Sequence, residues 1–112
     1  MIDPTAFMRE ILTMWFERDA TIRRETIRAH FHPDVRFVDH DGTFVGYEGL
    51  EAFSDSLQRR FPSGAFVMTG PAERLDDAIR AYWTLGPATG MDFALLEGDK
   101  IKTLYAFVTL PK

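Results

Sequence analysis

The sequence predicts an α+β fold in which three helices of the N-terminal half pack on one face of a strongly curved, mostly antiparallel sheet. Three observations predict it. Apolar residues recur at helical spacing in three segments before residue 61. After residue 64, apolar and polar residues alternate as in strands. Short turns join most of these segments, as is typical of neighbouring antiparallel strands. Such a cone-like sheet, closed by helices, should enclose a central pocket.

The composition limits the possible functions of the chain. Its 112 residues fit a single domain spanning 1–112, and 46% hydrophobic residues indicate a globular protein. Cysteine is absent, so disulfides, zinc–thiolate sites and thiol nucleophiles are excluded. The net charge of −4, without a basic stripe or polybasic tract, predicts neither a nucleic-acid nor a membrane partner. The N-terminus lacks signal-peptide features, so we expect a cytoplasmic protein.

The first helix has a clear start signal. Asp3 is a suitable N-cap, and Pro4 follows at the first helical position. The apolar residues then recur at the spacing of one helix face: Phe7, Met8, Ile11, Leu12, Trp15 and Phe16.

Two further helices are predicted, over residues 19–30 and 48–60. The last of them must end by Phe61, because a residue before proline is disfavoured in the helical conformation. The expected apolar side of the second helix comprises Ile22, Ile27 and Phe31, with Arg23, Arg24 and Arg28 in solvent. The third helix carries an apolar stripe of Leu50, Phe53 and Leu57.

A hairpin is predicted between the second and third helices. Residues 35–40 alternate, so that Val35, Phe37 and Asp39 share one face. Asp41-Gly42 is a dipeptide favoured in two-residue hairpin turns, and residues 43–46 would form the return strand. Four more strands are expected at residues 65–70, with an extension to residue 75, and at 78–85, 91–97 and 101–110.

Two aspartates lie on faces of the sheet that are otherwise apolar. Asp39 ends the stripe that contains Phe37, and Asp92 begins a stripe that continues with Ala94 and Leu96. A carboxylate in such a place must lie at the rim, be paired or keep its proton. A single Asp at a strand end most often lies near water, but both could instead face one pocket. The expected pocket walls are Trp15, Phe37, Trp83, Ala94 and Leu96.

Three segments, taken in order, resemble the nuclear-transport-factor-2-like superfamily and, within it, the SnoaL-like branch. They are residues 32–39 (HPDVRFVD), residues 46–53 (GYEGLEAF) and the late hairpin over residues 90–101. The resemblance covers nearly the whole chain and implies the same helix and strand order that the residue pattern predicts. It implies little about activity, because that superfamily includes cyclases, isomerases, hydrolases, dehydratases and non-catalytic members.

Ketosteroid isomerase, a member of this superfamily, provides an implied site. Its general base corresponds to Asp39, and its protonated oxyanion-binding aspartic acid is similar to Asp92. Its oxyanion-binding tyrosine would fall near Ile11, and the first helix contains no Tyr. One catalytic group is therefore missing, which argues against ketosteroid isomerase activity itself.

Other chemistries are less favoured by the sequence. The Asp-Arg-Asp set of related epoxide hydrolases would need Arg80, which alternation places on the face opposite Trp83. Asp39-His40-Asp41 has metal-binding residue types, but strand neighbours point to opposite faces. We therefore expect no metal site and no cofactor.

Two functional classes remain. The first is an enzyme that binds a small, mostly apolar carbonyl compound and uses Asp39 as general base, with protonated Asp92 as hydrogen-bond donor; isomerisation, cyclisation and dehydration share this chemistry. The second is a non-catalytic, dimeric module for ligand binding or protein interaction. Convergence of Asp39 and Asp92 in one enclosed space would favour the enzyme. In either case, the outer sheet face with Tyr82, Phe93 and Leu95 predicts a homodimer.

Overall fold

The structure, a computed structural model that describes residues 2–110, has the predicted α+β fold. The helices are α1 (Pro4–Met14), α2 (Ala20–His30) and α3 (Gly46–Arg60). The strands are β1 (Phe31–Asp39), β2 (Gly42–Val45), β3 (Val67–Met68), β4 (Glu73–Leu75), β5 (Ala78–Leu85), β6 (Ala88–Glu97) and β7 (Lys100–Thr109).

The seven strands within residues 2–110 belong to one sheet, in the order β2-β1-β7-β6-β5-β3, and β4 also pairs with β5. Only the β1–β7 pair is parallel among the described strands. Helix α3 packs on β1 and β2, whereas α1 packs on β4 and β5. The hydrophobic core therefore lies between the helices and the inner face of the sheet.

The helix starts follow from their capping residues. The Asp3 carboxylate accepts a hydrogen bond from the Thr5 N–H at 3.2 Å, and Asp19 does the same for Thr21 at 2.9 Å. Helix α3 begins at Gly46, two residues before the predicted start, and no side chain caps it. Gly46 has a φ of +71°, which a side chain would disfavour, so this glycine allows the strand to turn directly into the helix.

Side chains from α2 and α3 hold the C-terminal end of α1. The Trp15 carbonyl accepts hydrogen bonds from Ser54 Oγ at 2.7 Å and from Gln58 Nε2 at 3.1 Å. The Glu17 carbonyl accepts from Gln58 Nε2 at 2.9 Å and from Arg23 Nη1 at 2.7 Å. Carbonyls at a helix end have no partner within the helix, so these contacts satisfy them and also fix the place of Trp15.

The prediction for the solvent-facing side of α2 was wrong at two neighbouring residues. Arg23 is 5% exposed, although it was expected in solvent, and Ile22 is 49% exposed, although it was expected inside. Arg23 is buried because it bonds Glu17 and pairs with two acids of α3, with Nη2 at 3.3 Å from Asp55 and 3.7 Å from Glu51. Polar contacts between α2 and its neighbouring segments determine this orientation. The helical periodicity of the sequence carries no information about such contacts.

The strand boundaries also differ from the prediction, and β6 begins at Ala88, three residues before the predicted start at residue 91. Strand β1 begins at Phe31, four residues early, and its register with β7 shifts between Phe31 and Arg36. The β1–β2 turn consists of His40 and Asp41, while Gly42 (φ +139°) already pairs with Asp39 in the ladder. The predicted strand at residues 65–75 is two short strands, separated around Pro71, which cannot donate to a ladder.

The outer face of the sheet carries large apolar residues in a cross-strand row. Tyr82 pairs with Met91, which pairs with Phe107. Tyr82 is 46% exposed and Phe107 is 59% exposed, whereas Phe93 and Leu95 are partly buried. Among residues 2–110, no helix is both long enough and apolar enough to cross a membrane.

The buried arginine provides a test of the helix packing. We expect Arg23→Ala to lower the free energy of unfolding by about 2–3 kcal/mol, because it removes the bonds of a buried guanidinium to the Glu17 carbonyl and Asp55 and its ion pair with Glu51 Oε1. Arg24→Ala is the matched control: Arg24 pairs with the same Glu51 but is exposed, so its loss should cost at most about 1 kcal/mol. Urea unfolding measures both values, and equal costs would contradict the structural role of Arg23.

Candidate active site

A cavity of about 240 Å³ lies between the inner sheet face, helix α3 and Trp15, the residue that follows α1. Aromatic side chains form much of its wall. On one side, Trp15 stacks on Phe37 with ring centroids 5.4 Å apart, and Phe53 meets Phe37 edge-on at 4.6 Å. On the other side, Phe66 meets Trp83 edge-on at 4.7 Å. The space between these two groups suits a flat, apolar molecule.

Asp92 is the buried polar group of the cavity wall. It is 3% exposed, so the interpretation that it lies near water at a strand end was wrong. Its Oδ1 accepts a hydrogen bond from Trp83 Nε1 at 3.0 Å. Burial raises the pKa of Asp92 from the ordinary 3.8 to about 7, and the Trp83 bond acts in the opposite direction. A substantial fraction of Asp92 is therefore protonated at neutral pH and able to donate a hydrogen bond.

Asp39 lines the same cavity and is partly exposed. One of its oxygens, Oδ1, accepts a hydrogen bond from the Asp41 N–H at 2.8 Å, which anchors the carboxylate to the β1–β2 turn. The β1–β7 register pairs Val38 with Tyr105, so the next residue, Asp39, lies beside Ala106. Ala106 in turn pairs with Asp92 on β6.

The two aspartates thus lie two strands apart, with Ala106 between them. Two strand spacings correspond to about 10 Å between their backbones. Ala106 has the smallest chiral side chain, and it also lines the cavity. The sheet therefore leaves a gap above Ala106 that is flanked by a carboxyl group on each side. This convergence is the arrangement that, from the sequence, would favour an enzyme.

The cavity mouth is polar and charged. Arg60, at the end of α3, reaches Asp41 with Nη1 at 3.3 Å from Oδ2, and His40 Nε2 lies 3.5 Å from Asp41 Oδ1. Asp39, His40 and Asp41 can each offer one ligand atom, and these atoms lie within 4.8 Å of one another. The argument that alternation keeps His40 away from Asp39 was therefore wrong, because His40 belongs to the turn and not to the strand. The paired Arg60 cation opposes metal binding there.

The predicted wall residues are not all in the cavity. Trp15, Phe37 and Trp83 line it together with both aspartates, but Ala94 and Leu96 do not. Ala94 and Leu96 are packed into the hydrophobic core. The cavity instead extends from Asp92 towards Ala88, in the opposite direction along β6.

Sequence reasoning missed several wall residues. Phe53 belongs to the apolar stripe of α3, so its burial was predicted, but nothing in the stripe indicates that it faces a cavity. Phe66 lies in the strand predicted at residues 65–70 but precedes β3 in the structure, and the strand prediction did not indicate that it faces the cavity. Ala106 lies on the inward face of β7. The alternation of that strand is the one sequence signal that could have identified it as a wall residue.

Solved structures with the same fold identify the architecture. A SnoaL-like family protein from Agrobacterium tumefaciens strain C58, described as a proposed isomerase, is similar over 97% of this chain and 99% of its own, with a TM-score of 0.89 and 23% identity. A protein from Jannaschia sp. CCS1, described as a proposed SnoaL-like polyketide cyclase, matches over 95% of this chain and 85% of its own (TM-score 0.79, 17% identity). The chain has the SnoaL-like fold.

The SnoaL-like fold does not by itself imply an activity. A de novo designed protein with a curved β-sheet is also similar, over 96% of this chain and 85% of its own, with a TM-score of 0.70 and 17% identity. No protein-family model matches the chain, and no curated protein matches it. The function must therefore be argued from the residues of the cavity.

The buried carboxyl group should make stability depend on pH. In the folded protein Asp92 keeps its proton up to about pH 7, whereas the unfolded chain releases it near 3.8, so the unfolded state binds fewer protons between these values. The contribution of Asp92 to the free energy of unfolding should therefore fall as pH rises from about 4 to about 7, by roughly 4 kcal/mol.

Asp92→Asn removes this titration. Urea unfolding between pH 4 and pH 8 should show the variant gaining stability relative to the wild type as pH rises, with the gain complete slightly above pH 7. Wild-type and variant curves that run parallel over this range would mean that Asp92 titrates normally.

Proposed function

We propose that the protein abstracts a proton from the carbon next to the carbonyl group of a small, mostly apolar compound, as an isomerase, cyclase or dehydratase does. The observation that carries the proposal is the pair of carboxyl groups flanking Ala106 in an aromatic cavity, one of them buried and one partly exposed. Asp39 acts as the general base, because the open mouth allows water to solvate its charge. Asp92 acts as the hydrogen-bond donor.

The hydrogen bond from Trp83 assigns roles to the two oxygens of Asp92. Oδ1 accepts the indole N–H, so the acidic proton resides on Oδ2, from which it is donated to the carbonyl oxygen of the ligand. When Asp39 takes the proton from carbon, the electron pair of the broken C–H bond forms an enolate, and Asp92 stabilises its oxygen. Return of the proton from Asp39 to another carbon gives isomerisation. Transfer of that proton to a hydroxyl group that leaves as water gives dehydration, and attack of the enolate carbon on a second carbonyl, whose oxygen takes the proton, gives cyclisation.

The cavity size limits the ligand. An engineered apolar cavity of roughly 150 Å³ holds one benzene molecule. A volume of about 240 Å³ therefore accommodates one ring with substituents or two fused rings, with larger parts projecting through the mouth. The aromatic walls favour binding by apolar contact, with orientation set by the few polar groups. Phosphorylated metabolites are not expected to bind, because the buried end of the cavity offers a carboxyl group and no anion site.

Proton abstraction can be measured without knowledge of the natural reaction. A panel of one- and two-ring ketones is incubated with the protein in D₂O, and proton NMR records loss of the signal next to the carbonyl. For compounds that raise the melting temperature, we expect exchange that Asp39→Asn slows by roughly 10²–10⁴-fold, since a general base contributes about that much. Asp99→Asn, the same change in the exposed β6–β7 turn, is the control and should leave the exchange rate unchanged.

The alternative is a non-catalytic binding module. Ketones that bind and stabilise the protein but exchange no faster than in its absence would favour that alternative. Exchange that survives Asp39→Asn would exclude Asp39 as the base.

We also propose that two copies associate through the outer sheet face. Support comes from the cross-strand row of Tyr82, Met91 and Phe107, in which Tyr82 and Phe107 are exposed, because contiguous apolar patches commonly mark interfaces. Light scattering at micromolar concentration should give twice the 12.8 kDa chain mass. Phe107→Glu should reduce it to one chain mass, whereas Ile22→Glu, at an exposed site on α2, should not. A single-chain mass for the wild type would contradict the dimer.

A further inference from the structure

Gly90 lies directly across from Trp83 in the β5–β6 ladder. A Cβ atom at this position would come within 2.2 Å of Trp83 Cζ2 and 2.4 Å of Cη2, far inside contact distance. Gly90 is not among the glycines with positive φ, so its backbone conformation is open to other residues. The requirement for glycine here is therefore steric, and the group that needs the space is the indole ring.

The space above Gly90 determines where the indole points. Alternate residues of a strand share a face, so the next residue of β6 that faces the cavity after Gly90 is Asp92. Because no side chain rises from Gly90, the Trp83 ring lies across β6 and places Nε1 at 3.0 Å from Asp92 Oδ1. Phe66 contacts the ring edge-on, with centroids 4.7 Å apart. Any side chain at residue 90 would displace the ring from this position.

We propose that Gly90 is a positioning residue of the active site, whose bare backbone holds the Trp83 indole against Asp92 Oδ1 and so leaves Oδ2 to face the ligand. The catalytic consequence rests on the function proposed above, but the contact itself does not. Without the indole bond, either oxygen of Asp92 could carry the proton, and the donor would lose its fixed direction. Asp39, His40, Asp41 and Arg60 are the other charged or titratable groups of the cavity wall, and the test leaves them unchanged.

The indole N–H signal reports this contact without a substrate. The chain has two Trp residues, so Trp15→Phe assigns the two indole resonances in a ¹H–¹⁵N spectrum. In the wild type, the Trp83 N–H resonance should shift with a midpoint near pH 7 as Asp92 titrates, and Asp92→Asn should abolish this shift. Gly90→Ala should abolish it as well. Gly70→Ala is the matched control, because a Cβ there meets no atom within 4 Å, and it should keep the wild-type titration.

A second measurement covers the case in which Gly90→Ala folds but is too unstable for the NMR titration. Phe lacks the outer indole atoms that a Cβ at residue 90 would meet, so Gly90→Ala should lower the melting temperature less in a Trp83→Phe background than in the wild type. An equal drop in both backgrounds, or a Trp83 titration that persists in Gly90→Ala, would overturn the proposal. Failure of the ketone exchange assay would instead overturn the proposed function and leave this contact intact.

Discussion

One carboxyl group buried in an apolar cavity constrains the rest of this structure. Asp92 is 3% exposed, and an ionised carboxylate in such surroundings is costly unless it is paired. Among the described residues, no cation pairs with it, and its side-chain partner is the neutral N–H of Trp83. The protein accommodates the group by letting it keep its proton, and a protonated carboxyl group is a donor in an otherwise apolar space. The proposed chemistry of the site depends on this retained proton.

The geometry around Asp92 depends on small residues as much as on large ones. Gly90 gives the indole room, and Ala106 leaves a gap between the two aspartates. The large aromatic residues then form walls around this gap, and Trp15 is held in its wall by the bonds from Ser54 and Gln58 to its carbonyl. The polar contacts between the helices thus stabilise the fold and also keep one wall of the cavity in place.

The SnoaL-like fold and the proposed activity rest on different observations. The fold is shared with natural proteins and with a designed one, so it provides a cone and no specific reaction. Ketosteroid isomerase would place a tyrosine near Ile11, which is fully buried here, and α1 contains no tyrosine. Under the proposed function, Asp92 would be the sole oxyanion-binding group, oriented by its hydrogen bond from Trp83.

Local patterns in the sequence determined the elements and the two aspartates. Capping at Asp3 and Asp19 set the starts of α1 and α2, and Pro62 set the end of α3, because these effects act within a few residues. Strict alternation on β5 and β6 placed Trp83 and Asp92 on the inner face. Packing between distant segments decided what periodicity could not. It buried Arg23 instead of Ile22, and it packed Ala94 and Leu96 into the core while leaving Ala88 and Ala106 to line the cavity. Alternation states which face a residue occupies, but the helices that pack on that face determine which part of it remains a cavity.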